Sequence, residues 1–147
     1  QEHDIVRVDL GGRRIIKKKT SPDSIERLYQ NIGAFDALIS TAGPTFVGPW
    51  SQLTDKEFRK GIDGKAMGQI NLVLLGQKYI NPKGSFTLIS GALSHQPQLN
   101  FANASAANGA IDGFVRAAAI ELPRGIRINA VSPTVIENSP LYIPFFP

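Results

Sequence analysis

Cysteine is absent from the 147 residues, so the chain can form no disulfide, no thiolate nucleophile and no cysteine-ligated zinc or iron–sulfur centre. Histidine is nearly absent: His3 and His95 stand far apart with no HExxH-like spacing, and no metal site is expected. No apolar run approaches the roughly 18 residues a membrane helix needs. The opening segment QEHDIV lacks the charged-then-apolar order of a secretory signal. These absences predict a cytoplasmic protein with no membrane partner. Between Ser90 and Arg116 there is neither tyrosine nor lysine, although the tract is rich in Ser, Ala and Gly.

What is present fits one globular domain over residues 1–147: 42% of the chain is hydrophobic and 19% charged, enough apolar material for a core. The net charge of +4 owes much to Arg13, Arg14, Lys17, Lys18 and Lys19. No aromatic residues interleave with these charges, so the cluster reads as solvated surface or as a contact for a cofactor phosphate, and nucleic acid is not an expected partner. Four segments have the apolar, β-branched character of buried strands: Asp4–Val8, Phe35–Ser40, Ser85–Ser90 and Ile126–Val131. Helical patterns separate the later ones. Ser21-Pro22-Asp23 starts the first, whose face carries Ile25, Leu28, Tyr29 and Ile32. Thr54-Asp55-Lys56-Glu57 is a capping box opening a helix that runs to about Tyr79, with a break near Gly64, and a third helix covers about Ala104–Leu122. Strands alternating with helices of this length predict a doubly wound parallel sheet in three α/β/α layers. Ligands of such sheets bind beyond the carboxyl ends of the strands.

Several segments then carry a resemblance. FDALISTAG, LTDKEFRKGIDGKAMGQINLVLL, KGSFTLIS and GAIDGFVRAAAIELPRGIRINAVSP follow one another in the order and spacing of the short-chain dehydrogenase/reductase family, from about Asp4 to Asn138. The resemblance implies a Rossmann-like fold and a dinucleotide, NAD or NADP. It places Ala42 and Gly43 against the adenosine and central part of the cofactor and Pro133, Thr134 and Val135 against the nicotinamide side, with Ser90 as a further cofactor-binding residue. Asp9, at the end of what matches the second strand, would choose NAD, whereas Arg13 and Arg14 would favour NADP. The family's first strand and glycine-rich pyrophosphate turn have no counterpart, which predicts a strand–turn–helix unit of about 30 residues before the chain and further residues after it.

The family's proton chemistry uses a tyrosine and a lysine four apart on a helix, a serine, and an asparagine on the preceding helix. Aligned on Gly113-Phe114-Val115-Arg116, these positions are held here by Ala104, Asn108, Gly91 and Lys65. Alanine moves no proton and an amide is a poor substitute for an ammonium. The resemblance therefore implies an atypical branch that binds NAD(P)(H) with redox activity weak, altered or lost. The alternative is an oxidoreductase of a small carbonyl or alcohol working through replacement groups, with Lys65 or His95 as candidates beside Ser94 and Ser105. A third reading is an interaction module, since Ala104, Ala106, Ala107, Gly109, Ala110 and Gly113 give one helix a small-residue face suited to a homo-oligomer.

Overall fold

The fold is described from a computed structural model covering residues 5–9, 13–17, 21–41 and 43–134, with the first two stretches described as backbone only. Among these residues five strands form one sheet in the order β2-β1-β3-β4-β5. The strands are β1 (Ile5–Asp9), β2 (Arg13–Lys17), β3 (Phe35–Ser40), β4 (Ile80–Ile89) and β5 (Arg127–Val131). β3, β4 and β5 are parallel neighbours, as the alternation of strands and helices predicts. The first strand differs from expectation. β1 runs antiparallel to both β2 and β3, so it does not extend the parallel array. Only residues 10–12 separate β1 from β2, and a link that short can join antiparallel strands alone, because a parallel pair needs a crossover of a dozen or more residues. The basic stretch Arg13–Lys17, read from sequence as solvated charge or as a contact for a cofactor phosphate, is the second arm of this pair.

Helix α1 (Pro22–Ile32) starts where the sequence predicts: Ser21 caps it, accepting from the Ser24 amide, and Pro22 occupies the first turn. It stops at Gly33, whose φ of 74° closes the helix by returning its N–H to Tyr29 O. Thr54 caps α2 (Asp55–Arg59) by accepting from the Glu57 amide at 3.3 Å. The helix does not break at Gly64; it continues as a π-helical segment, Lys60–Met67, and then as α3 (Gly68–Gly76). Two glycines of that segment meet close neighbours. A Cβ on Gly61 would sit 2.5 Å from Asn103 Oδ1, and one on Gly64 would sit 2.9 Å from the Pro44 ring. α4 (Ala102–Glu121) is the longest uninterrupted α-helical element among the described residues.

α1, α3 and α4 contribute to one core with the strands: Ile25, Tyr29, Leu72, Val73, Ala107 and Ile111 pack with Phe35, Leu38, Phe86, Leu88, Ile126 and Ile128. On the other face of the sheet Ile39 and Val131 stay exposed, so among the described residues the helices cover one side. β4 has β3 as a neighbour only as far as Thr87, opposite Ile39. Two residues later the buried Gln69 takes over: its amide donates to Ile89 O and accepts from Ile89 N, both at 2.9 Å. A side-chain amide has the donor–acceptor pair of a peptide group, and here it fixes α3 to the end of the strand.

Candidate functional site

At the carboxyl edge of the parallel strands the exits of β4 and β5 are tied together. The Ser90 amide donates to Val131 O and the Ala92 amide to Pro133 O, each at 2.9 Å. Ser90 is buried, and its hydroxyl donates to Asn108 O on α4 at 3.2 Å. Ser40, at the end of β3, is buried as well, and its hydroxyl has no hydrogen-bond partner among the described residues. An orphaned hydroxyl in this position fits a polar ligand at the edge, because leaving one unmade costs about 1–3 kcal/mol.

Behind this edge lies an ammonium. Lys65, carried by the π-helical segment, donates from Nζ to Ser90 O at 2.9 Å and to Asn108 Oδ1 at 2.5 Å. π-helical turns inside longer helices recur at functional sites. The residues around Lys65 are shaped to it. A Cβ on Gly43 would lie 2.3 Å from Lys65 Cγ and 2.7 Å from its Cα, so the turn after β3 rests directly on the lysine. A Cβ on Gly91 would lie 2.6 Å from Asn108 Nδ2. The Asn108 amide, itself 2% exposed, thus fills the space that a side chain at position 91 would need. Burial lowers the Lys65 pKa to about 8, partly opposed by the charge of Asp112 one turn beyond Asn108. Asp112 accepts from Ser94 Oγ at 2.7 Å and lies 3.5 Å from His95 Nε2.

A second amide pins the front of the site. Asn103 Oδ1 accepts from the Phe46 amide at 2.7 Å, and its Nδ2 donates to Phe58 O at 2.6 Å. This joins the loop after β3, helix α2 and the start of α4.

The positions named from sequence fall out as follows. Gly43, Lys65, Ser90, Gly91 and Asn108 form one contiguous group, and Pro133 joins it through Ala92. Ala104 is buried one turn before Asn108, and Thr134 is exposed. Ala42 and Val135 lie outside the described residues. Asp9 is the exception. Because β1 is antiparallel, its last residue pairs with Ala37 near the start of β3, whereas Ser40 pairs with Val6. The backbone therefore sets Asp9 toward the end of the sheet opposite Gly43 and Ser90, which corrects its expected place beside the cofactor ribose. Ser94 and His95 meet at Asp112, Ser94 Oγ also lies 3.1 Å from Gly91 O, and His95 is largely exposed. Sequence reasoning missed Gln69, Asn103 and Asp112. Only Asp112 had a signal, its i, i+4 spacing from Asn108 on the same helix.

The depressed lysine makes a prediction about stability. Its folded pKa lies below its unfolded value, so the unfolded chain binds the extra proton between about pH 8 and 10.5 and stability rises with pH across that window. The gain has a ceiling of roughly 3 kcal/mol, reduced by solvent screening. Urea unfolding of wild type and Lys65→Met at a series of pH values should show this rise in the wild type and not in the variant.

Comparison with known proteins follows the same outline. A family profile described as enoyl-(acyl carrier protein) reductase matches residues 15–141. The chain is 30% identical over 116 residues to a short-chain dehydrogenase/reductase of Stachybotrys chlorohalonatus, covering 74% of this chain and 46% of that protein. It is 27% identical over 121 residues to human L-xylulose reductase, covering 80% and 50%. The chain thus spans about half the length of the curated relatives it matches. Among solved structures, the protein lin1944 from Listeria innocua superposes with a TM-score of 0.82 at 47% identity, over 86% of this chain and 64% of that one. A small-chain dehydrogenase in complex with NADPH superposes with a TM-score of 0.73 at 34% identity, over 78% and 52%.

Proposed function

The chain belongs to the short-chain dehydrogenase/reductase family, and from that premise we propose that it binds NAD(P)(H) at the carboxyl edge of β3, β4 and β5 with its proton chemistry altered from the family's usual form. The observation that carries this reading is the built edge itself. Two backbone hydrogen bonds close the β4 and β5 exits, the buried Ser40 hydroxyl has no partner among the described residues, and a desolvated ammonium is anchored behind Ser90. Gly43, Ser90, Pro133 and Thr134 are the described residues that would line the cofactor, with Ala42 and Val135 as the neighbours expected from sequence. Binding of NADPH by a relative at 34% identity supports the same assignment. When bound, a nicotinamide supplies or accepts a hydride. The usual phenol is not available to move the matching proton, because Ala104 stands at its position.

Calorimetric titration with NADH and with NADPH tests the proposal and resolves the choice between them. Saturable binding of either cofactor in the micromolar range is the expected result. Absence of binding to the full chain at millimolar cofactor would end the reading. The expected substrate class is a small carbonyl or alcohol, and the expected compartment is the cytoplasm.

A homo-oligomer is a further part of the proposal, and one feature of α4 favours it. Of the small residues on that helix, Ala104 and Ala107 are buried in the chain's own core. Gly109 and Gly113 have nothing within 4 Å of where a Cβ would stand, and Ile120 nearby in sequence is 87% exposed. In a monomer, Gly109→Ala should stabilise the helix by roughly 0.5–1 kcal/mol, because alanine loses less backbone entropy on folding. If α4 packs closely against a second copy, the same change should weaken association instead. Sedimentation and thermal unfolding of the two proteins separate these outcomes.

A further inference from the structure

We propose that Lys65 is the proton-donating group of this site, held for that task by Asn108 and Gly91, and that it serves the oxygen of a small carbonyl substrate. The proposal deepens the dinucleotide-binding reading and rests on it. Three features of the chain lead there.

The first is how the ammonium is held. An ammonium has three N–H donors. Two are spent on fixed acceptors, Ser90 O and Asn108 Oδ1, and among the described residues the third has none. Acceptors on two sides favour the charged, proton-bearing form and set its position, which suits a donor better than a nucleophile needing its lone pair free.

The second is mutual fit. The positions that depart from the family pattern would each be unremarkable if they had drifted separately. Instead they interlock: Asn108 accepts from Lys65, and Gly91 is the residue small enough to admit the Asn108 amide, while Gly43, which follows the family pattern, is small enough to lie on the Lys65 backbone. The cation that the family resemblance expects on α4 is carried here by the π-helical segment and ends on Asn108, the residue that stands at the family's lysine position.

The third is electrostatic. Lys65 lies at the carboxyl edge of parallel strands, where such sheets bind ligands. A proton donor works best with a pKa near the working pH, and burial brings Lys65 to about 8. Asp112 on α4 is the charge that acts on it across the site, and His95 lies beside Asp112. Ser90, just past the end of β4, turns its carbonyl to it.

In the reduction direction the Lys65 Nζ–H bond breaks as an O–H bond forms on the carbonyl oxygen. The carbonyl carbon gains the hydride, the nicotinamide is oxidised, and the neutral amine regains its proton from solvent.

The test uses the full chain, NADPH, and 9,10-phenanthrenequinone as an easily reduced carbonyl probe. It combines NADPH affinity, quinone reduction and NMR titration of the Lys65 side chain. Wild type should bind NADPH and reduce the quinone, with turnover falling as pH rises through about 8. Lys65→Arg keeps the charge but cannot release a proton at these pH values. It should bind NADPH within about threefold of wild type and reduce the quinone at least about 100-fold more slowly, the usual worth of a positioned acid. Asn108→Ala removes one acceptor without touching the lysine, so the Lys65 titration should move to lower pH and the turnover profile should move with it. NADPH binding with no quinone reduction by wild type overturns the assignment, as does full turnover by Lys65→Arg. So does a Lys65 titration that Asn108→Ala leaves in place, a readout that survives if Lys65→Arg fails to fold. Failure of wild type to bind NADPH is a different result: it removes the dinucleotide reading, and this assignment with it.

Discussion

Replacing Gly43 by alanine is expected to cost about 3 kcal/mol or more of folding stability and to displace Lys65. Two effects add. Gly43 has a φ of 151°, outside the range that residues with a side chain readily adopt, and holding such a residue there costs of order 1–3 kcal/mol. The new methyl would also sit 2.7 Å from Lys65 Cα and 2.5 Å from its Cβ. Lys65 Cα and Cβ move only with the backbone, so the obstruction cannot be relieved by turning the far end of the side chain. Overpacking of this kind costs about another 1–3 kcal/mol. The most accessible relaxation moves the β3 exit away from the π-helical segment and separates Gly43 from Lys65. Urea denaturation reads the first consequence. The second appears as a Lys65 titration shifted back toward the ordinary lysine value, since solvent then reaches the ammonium. A variant with wild-type stability and an unmoved Lys65 titration would show that the turn does not rest on the lysine.

The second large effect lies in the core, at Tyr29. Its ring is fully buried, stacked on Phe35 with a 5.4 Å centroid separation and on Tyr79 at 5.3 Å. Its hydroxyl donates to Leu72 O on α3 at 2.6 Å, and burial pushes the phenol pKa up, so it stays a neutral donor. Tyr29→Ala removes the stacking, leaves a cavity between α1, α3 and the sheet, and should cost about 3–5 kcal/mol. Tyr29→Phe keeps the ring and loses one buried hydrogen bond, so about 1–2 kcal/mol is expected. The gap between the two variants, measured by urea unfolding, separates packing from hydrogen bonding. The same ring explains Gly76: a Cβ there would lie 2.6 Å from the Tyr29 hydroxyl, and α3 approaches α1 this closely only with glycine at that point.

Much of the scaffold is legible in the sequence because local chemistry specifies it. Ser21-Pro22 starts a helix wherever it is placed, since the cap and the fixed proline φ act within one turn. Thr54 and Glu57 act in the same way at α2. The apolar runs FDALIS and SFTLIS appear as parallel neighbours because alternating helices leave them no other short connection. β4 begins five residues earlier than its apolar core suggests, at Ile80, which pairs with Phe35; the ladder then passes through an irregular stretch and resumes at Ser85, and no side-chain pattern marks that early start. The direction of β1 was not legible. An apolar run has no polarity of its own, and its expected parallel setting came from the family match and not from the three-residue link to β2.

The candidate site divides along the same line. By itself the sequence determined which chemistry is absent: no thiol, no histidine pair, and no tyrosine or lysine between Ser90 and Arg116. It also determined which residues stand at the altered positions. Only the tertiary structure decided that these residues form a group, because Lys65 and Asn108 are 43 positions apart and meet through the crossing of two helices. Gly61 lets α4 approach through Asn103, and Gly43 and Gly91 admit Lys65 and Asn108, each closer than a Cβ would allow. Hydrogen-bond geometry and desolvation depend on which atoms face one another across such a contact, and no periodicity along the chain encodes that. A lysine that reads in sequence as the loss of an asparagine is, in the fold, an anchored ammonium at the edge where a ligand would bind.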